Sequence, residues 1–416
     1  MLIVDFEYRS NVLCKNAKTN KSVEMNKYLM NLVVLVWFWP GNLSVAVAQP
    51  SNALNSTLSI EEQRLTKAQQ IMPEVFQPLT QRLSMFEQHI AKARNFTALT
   101  QVVIRHAGGL WKDAILWFDA SQRYDDRPLY WARIQMTKLL KQSPSFLQLL
   151  PMQQQKILWL LELLSRGQND VKFNKGAKKK ILITGFDPFL LDRNIRQSNP
   201  SGVAALALDD LLLSRDGISA EIETLIFPVR FADFDQGIVE ILLAPYYQKV
   251  DMVVTISMGR SGFDLERFPG LRRSAKASDN LNIKTGASPD KPKVPLLKGK
   301  SLDGPEFVEL SLPVAKMIKV QRPFKVNDNR KVLTLSGKVE AQSLSALADK
   351  ISVAGSGGGY LSNEISYRSI LLREQLNPLL PVGHLHTPKF IGFAPKTSAQ
   401  IVKQIKQILT EAIDGI

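Results

Sequence analysis

The spacing of apolar positions changes once along this chain, and the change divides it. Over residues 55–166 apolar side chains recur every three or four positions, as in RLTKAQQIMPEVFQPLTQRLSMFEQHIAKA, GGLWKDAILWF and QQQKILWLLELLSR. That is the period of amphipathic helices. Ser59-Ile60-Glu61-Glu62 is a capping box and predicts a helix start. Pro73, Pro78, Gly108, Gly109, Pro128, Pro144 and Pro151 predict the helix boundaries. Trp111, Trp117, Trp131 and Trp159 lie in this stretch. Filling a helical core accounts for them more simply than a carbohydrate- or peptide-binding face. His89 and His106 have no neighbouring Cys, Asp or Glu at metal-ligand spacing and read as structural or surface side chains.

RGQNDVKFNKGAKKK (166–180) is polar and basic, the composition of an exposed linker. After it the period shortens. ILITGF (181–186) is a β-rich run closed by glycine, as a buried parallel strand would be. VAALALDDLLLSR predicts a helix, IETLIFPV a strand, FDQGIVEILLAPYYQ a helix and DMVVTISMG a strand. The alternation predicts an α/β fold, a mostly parallel sheet flanked by helices, preceded by an all-helical N-terminal domain. The expected division is 1–48 as an upstream extension and signal, 49–166 as the helical domain, 167–180 as the linker and 181–416 as the α/β domain. Ligands in such sheets bind beyond the carboxyl ends of the strands, so chemistry is expected just after Ile183, Val229 and Ser257.

The amino end carries a different pattern. From Met25, Lys27 supplies a positive start, Leu32 to Trp39 an apolar run, and Ala46-Val47-Ala48 an A-x-A cleavage signal before Gln49. The run is far shorter than the roughly 20 residues of a spanning helix, and Pro40, Gly41 and Asn42 interrupt it. A cleaved export signal is the expectation, with residues 1–24 as an upstream extension. Mature protein would begin near Gln49, be periplasmic or secreted, and keep no membrane span. The single cysteine, Cys14, would be lost with the leader, so no disulfide, thiol nucleophile or multi-cysteine metal site would remain.

With 416 residues, 45% hydrophobic and 22% charged, the chain has ample material for a core and is not a disordered one. The 53 basic against 38 acidic residues leave a net +15. The excess is scattered and no recognition motif accompanies it, so nucleic acid is not an expected partner. No signal for an oligomeric state stands out.

Around the predicted strand ends stand residues with chemistry. Thr184-Gly185-Phe186-Asp187-Pro188-Phe189 is followed by Asn199-Pro200-Ser201 before a helix. Gly259 to Arg267 brings Glu266 to the same rim, and Gly357 to Asn363 places Ser362 near a helix start, where backbone N–H groups favour developing negative charge. Val382 to Pro388 supplies His384 and His386, two apart and on one side of a strand. Serine, histidine and carboxylate would make a nucleophile, a base and an orienting group, although most α/β domains offer all three. A G-x-S-x-G elbow is absent, and the Gly355–Gly359 run matches neither a P-loop nor G-x-G-x-x-G. No metal or organic cofactor is implied.

The order of these motifs, from Lys180 to about Phe393, resembles the type I pyroglutamyl peptidases. Thr184 to Phe189 resembles their opening, and Asn199-Pro200, Glu266-Arg267, Asp279-Asn280, Leu312-Pro313-Val314, Gly358 to Asn363 and His386-Thr387-Pro388 follow in the family's sequence. The resemblance implies removal of an amino-terminal pyroglutamyl residue from a blocked peptide. It assigns His386 as general base, Glu266 as its orienting group and Ser362 to the nucleophile position, with Phe186, Phe189, Asn199 and Lys276 toward the substrate. Three departures stand out: Ser362 replaces the family's cysteine, Leu190-Leu191 replace two glycines, and a basic stretch, Gln321 to Val339, is inserted. Three readings compete: a serine-nucleophile amide hydrolase, an inactive relative that binds peptide termini or an envelope partner, and an unrelated structural or envelope-binding protein in which the motif order is fortuitous.

Overall fold

The computed structural model describes residues 58–173 and 176–416; the leader, its cleavage signal and Cys14 lie outside them. Twelve strands occur among these residues: β1 (Lys179–Phe186), β2 (Leu211–Arg215), β3 (Ile218–Phe227), β4 (Met252–Met258), β5 (Phe263–Glu266), β6 (Leu296–Leu297), β7 (Lys300–Ser301), β8 (Val326–Asn329), β9 (Lys331–Thr334), β10 (Gly337–Glu340), β11 (Ser352–Ala354) and β12 (Val382–Thr387). Seven form the main sheet in the order β2-β3-β1-β4-β12-β5-β8. β3, β1, β4 and β12 run parallel, the hairpin strand β2 is antiparallel to β3, and β5 pairs antiparallel with β12 and parallel with β8. The sheet is therefore mostly parallel, with helices packed on it and a helical region, 60–164, before it. From β1 the chain moves outward to β3 and then back across to β4. That reversal opens a crevice at the carboxyl ends of β1, β3 and β4.

Local chemistry explains the elements. Ser59 Oγ accepts from the Glu62 N–H at 3.3 Å and the Glu62 carboxylate accepts from the Ser59 N–H at 3.1 Å, so the capping box is closed. Pro73, Pro144 and Pro151 each open a helical segment, where a missing N–H costs nothing. Trp111 and Trp131 are fully buried in two separate clusters, and Trp117 and Trp159 pack against that of Trp111.

Three elements differ from the periodicity reading. Gly108 and Gly109 end no helix: Phe96–Ser121 runs through both. A Cβ at Gly109 would sit 2.6 Å from the Arg82 guanidinium, so the glycine makes room for the Arg82–Asp113 ion pair. VAALALDDLLLSR splits into the Pro200–Leu208 helix and β2. Asp216 (φ +49°) and Gly217 (φ +79°) then close the β2–β3 hairpin, a two-residue turn that favours Asp-Gly. FDQGIVEILLAPYYQ breaks at Gly237, whose φ of +89° is incompatible with a continuous helix.

The described helices and the sheet belong to one compact unit, and a single hydrophobic cluster runs from Leu79 through the helices into the sheet. Buried charge joins them as well. Asp187, just after β1, accepts from Arg133 of the helical region at 2.8 and 3.0 Å and, at 2.7 Å, from Arg166, which lies two residues past the last of those helices and is buried, not part of an exposed linker. All three side chains are buried. Asp187→Ala would leave Arg133 without its carboxylate partner and Arg166 with Glu162 alone. It is expected to cost about 3–5 kcal/mol, read as a lower urea midpoint at unchanged m-value.

His106 lies buried in the Phe96–Ser121 helix with Nε2 2.7 Å from His89 Nδ1, a pairing the sequence does not announce. Burial, and then the positive Arg82, lower its pKa to about 4. A histidine titrating lower when folded than unfolded contributes fully above pH ~6.5 and loses that contribution as pH falls toward 4. His106→Gln should therefore flatten the acid limb of the stability curve between pH ~6.5 and 4, measured by urea unfolding at each pH.

Candidate functional site

Phe186 at the end of β1, Val229 just after β3, and Ser257 and Met258 at the end of β4 converge on one cavity. Phe189, Asn199, Tyr360, Leu361 and Ser362 complete its wall around ≈ 40 Å³. The Phe186 ring stacks on Phe234 at 6.3 Å and packs against Phe227 at 6.2 Å, giving an aromatic floor. Asn199 does two jobs. Its Oδ1 accepts from the Ser201 N–H at 3.1 Å and caps the following helix, while Nδ2 donates to the Asp187 carbonyl at 2.9 Å.

Asp279 and Asn280 tie the rim together. Asn280 donates from Nδ2 to the Pro188 carbonyl and from its backbone to the Val229 carbonyl, both at 2.9 Å. Asp279 Oδ2 accepts from the Phe231 N–H at 2.9 Å. The loops after β1 and β3 are thereby held by one pair of residues, and Arg64 of the helical region donates to the Asn280 carbonyl from behind.

His386 and Glu266 come from neighbouring strands, β12 and β5. His386 Nδ1 and Glu266 Oε1 are 2.5 Å apart. Nδ1 is thus the donor, and Nε2, which has no hydrogen-bond partner among the described residues, is the ring nitrogen left for proton transfer. Glu266 is completely buried, and its second oxygen accepts from Asn329 Nδ2 at 2.8 Å. Asn329 also donates to the Ser356 carbonyl at 2.9 Å, and Arg260 stands 3.7 Å from Glu266 Oε1.

Ser362 is the second residue of the Leu361–Leu376 helix. Its N–H is among the first four of that helix, which have no partner within it. Its Oγ donates to the Gly357 carbonyl at 3.4 Å and makes no hydrogen bond to His386. Gly357 lies between the two: a Cβ there would touch His386 Cε1 at 3.4 Å and Glu266 Cγ at 3.5 Å. Asn363 anchors the helix start by exchanging hydrogen bonds with both backbone groups of Gly270, at 2.9 and 2.7 Å.

Of the residues singled out in the sequence, Phe186, Phe189, Asn199 and Ser362 line the cavity and Glu266 is bonded to His386. Lys276 is exposed and is not part of the wall. Nothing in the sequence announces Asn329. It belongs to the inserted basic stretch, which builds β8 to β10, and only the β5–β8 register sets it opposite Glu266. Ser257 stands out in the sequence only as a strand end, and no pattern there pairs it with His384.

Comparisons with known proteins match the chain in two stretches. Residues 46–162 match the family described as PA0049 N-terminal domain, and 180–302 with 325–391 match PA0049, C-terminal domain. The uncharacterized protein PA0049 of Pseudomonas aeruginosa is 27% identical over 85% of each chain. A pyrrolidone-carboxylate peptidase of Lactobacillus acidophilus is 24% identical, over 50% of this chain and 83% of its own. The similarity to that peptidase spans about half of this chain. Among solved structures, a mutant pyrrolidone carboxyl peptidase from the hyperthermophile Pyrococcus furiosus is 19% identical over 57% of this chain and 99% of its own, with a TM-score of 0.41. Pyroglutamyl peptidase I of Bacillus amyloliquefaciens is 18% identical over 57% and 98%, with a TM-score of 0.40.

Removing the Asn329 amide deprives a buried carboxylate of a hydrogen bond. Asn329→Ala is expected to cost about 1.5–3 kcal/mol in urea unfolding. Lys338→Ala, an exposed change on β10 of the same inserted region, should stay within about 0.5 kcal/mol.

Proposed function

We propose that this protein is an exported peptidase-type hydrolase that removes an amino-terminal pyroglutamyl, or closely related, group from peptides, with Ser362 as nucleophile. The observation that carries the reading is the Glu266–His386 hydrogen bond standing across Gly357 from Ser362, beside an aromatic cavity. The weak relationship to a pyrrolidone-carboxylate peptidase supports the same chemistry, and the leader pattern before Gln49 supports export.

In this reading the lactam ring enters between Phe186 and Phe189. Ser362 Oγ attacks the scissile carbonyl while its proton passes to His386 Nε2, and Glu266 stabilises the imidazolium that forms. The unpaired N–H groups at the helix start, that of Ser362 among them, receive the oxyanion. His386 then protonates the leaving amine, and water releases the acid from the serine ester. A hydroxyl in place of a thiol makes the first step slower, because serine depends wholly on the base.

A second reading rests on one distance. The Ser362 hydroxyl is engaged with the Gly357 carbonyl at 3.4 Å instead of with His386, as it would be in a protein that binds pyroglutamyl termini without cutting them.

One assay separates the two. Release of a fluorophore from a pyroglutamyl amide is measured for wild type, Ser362→Ala, Ser362→Cys and Glu266→Gln. A serine hydrolase predicts wild-type turnover, a fall of at least about 10³ in Ser362→Ala, and a fall of about 10²–10⁴ in Glu266→Gln. Silence in wild type with turnover in Ser362→Cys would establish the binding protein. Silence in all variants would refute the hydrolase reading and leave the binding protein to a direct binding measurement.

A further inference from the structure

A second imidazole stands behind the same cavity, and the proposed mechanism leaves it without a task. His384 is fully buried on β12, two residues before His386, and the two rings meet edge to face at 4.8 Å. Its Nδ1 is 2.7 Å from Thr255 Oγ1 and its Nε2 is 2.7 Å from Ser257 Oγ. Both hydroxyls lie on β4, and the parallel β4–β12 register sets Thr255 beside His384 and Ser257 beside His386. Of the three side chains, Ser257 alone lines the cavity.

Proton bookkeeping fixes the direction of this chain. Burial lowers the His384 pKa well below its ordinary value, and the neighbouring His386 lowers it further, so the ring is neutral and carries one N–H. Thr255 Oγ1 also reaches the Gly383 carbonyl, at 3.3 Å. The arrangement that uses every proton has Nδ1–H donating to Thr255, Thr255 donating to Gly383, and Ser257 donating to Nε2. With its one proton held behind it by His384, Ser257 turns only oxygen lone pairs toward the cavity.

A serine bonded to an imidazole invites the reading of a second nucleophile. The surroundings oppose it. A base must carry the proton it takes, and His384 is hydrogen-bonded only to hydroxyl groups and has the His386 ring beside it, with no carboxylate bonded to it to balance an imidazolium. The same pair is well suited to another purpose, a hydrogen-bond acceptor of fixed direction.

We propose that Ser257, oriented by His384, is a recognition residue of this cavity that accepts a hydrogen bond from an N–H of the bound group, and so selects a lactam or amide over its oxygen analogue. The inference rests on the pyroglutamyl reading of the cavity and adds the residue that reads the ring nitrogen. A cavity site that offers only an acceptor pairs with N–H, whereas a ring oxygen would set lone pair against lone pair. Thr255 and His384 touch no ligand in this scheme and act by holding the Ser257 proton.

The test uses the full chain and two small probes without a scissile amide, pyroglutamate and the lactone acid in which a ring oxygen replaces the N–H, titrated by calorimetry. Wild type is expected to bind the lactam about five- to tenfold more tightly than the lactone. Ser257→Ala should abolish that preference. His384→Phe should also abolish it with Ser257 intact, and His384→Gln, which keeps an acceptor for the serine proton, should restore part of it. A merely structural role would weaken both probes equally and leave their ratio unchanged. Retention of the full lactam preference in Ser257→Ala, or no preference in wild type, would overturn the inference while leaving the cavity's ligand class standing. Failure of wild type to bind either probe would overturn the pyroglutamyl reading and this inference with it.

Discussion

The Asp187 carboxylate is the constraint on which the rest of the architecture turns. It follows β1 directly, inside the protein, where an ionised group is tolerated only with well-placed counter-charges. Arg133 supplies one from the helical region and Arg166 the other from just past its last helix, and Arg133 also donates to Ser165 Oγ at 3.1 Å. Arg166 is bound in turn to Glu162, and Arg230 links Glu162 to Glu61 and Asp233. Burial works against the charge on Glu162, but Arg166 and Arg230 outweigh it and hold the carboxyl below its usual range. A few ångströms along, both Asp126 oxygens accept from the Asn199 N–H, at 3.2 and 3.1 Å. The helical region therefore does more than precede the sheet. It neutralises the segment between β1 and the next helix, and that segment carries Phe186, Phe189 and Asn199.

A second constraint acts on the other side of the cavity. Glu266 is completely buried at the end of β5, near the sheet edge, so it too needs partners on both oxygens. His386 satisfies one and Asn329 the other. Asn329 is available only because β8 extends the sheet beyond β5. The inserted basic stretch, an unexplained departure when read as sequence, is what completes the environment of the proposed orienting carboxylate. It also ties that carboxylate to the turn before Ser362, since Asn329 reaches the Ser356 carbonyl with the same amide group.

How far the fold is legible in the sequence depends on whether the cause is local. β1 and β4 are largely apolar runs and β3 alternates before ending in Leu225-Ile226-Phe227, each closed by a turn, and both the mostly parallel sheet and the place of the cavity follow from them. LLLSR passes for helix because three leucines fit either period, although the Asp-Gly pair after it carries a hairpin signal. Gly108 and Gly109 mislead for a long-range reason: the space at Gly109 is taken by Arg82, 27 positions earlier in the chain. For the site, the serine, the histidine and the glutamate stand out by chemical type. Asn329 and the Ser257–His384 contact do not, because cross-strand register alone makes them neighbours.

Two histidines one ring apart on the same strand divide the labour of the cavity according to what surrounds them. His386 has a buried carboxylate to receive positive charge, so it can gain and return a proton at modest cost. His384 has only Thr255 and Ser257, so taking a proton would leave a bare charge in the interior. In the proposed scheme the same side chain thus serves as a base at one position and a fixed, neutral acceptor at the other, and no change of residue type is needed to separate the roles. It follows that exchanging the surroundings should matter more than exchanging the rings. A carboxylate in place of Thr255 would give His384 the counter-charge it lacks and make Ser257 the better-activated hydroxyl of the two, at the expense of its use as an acceptor.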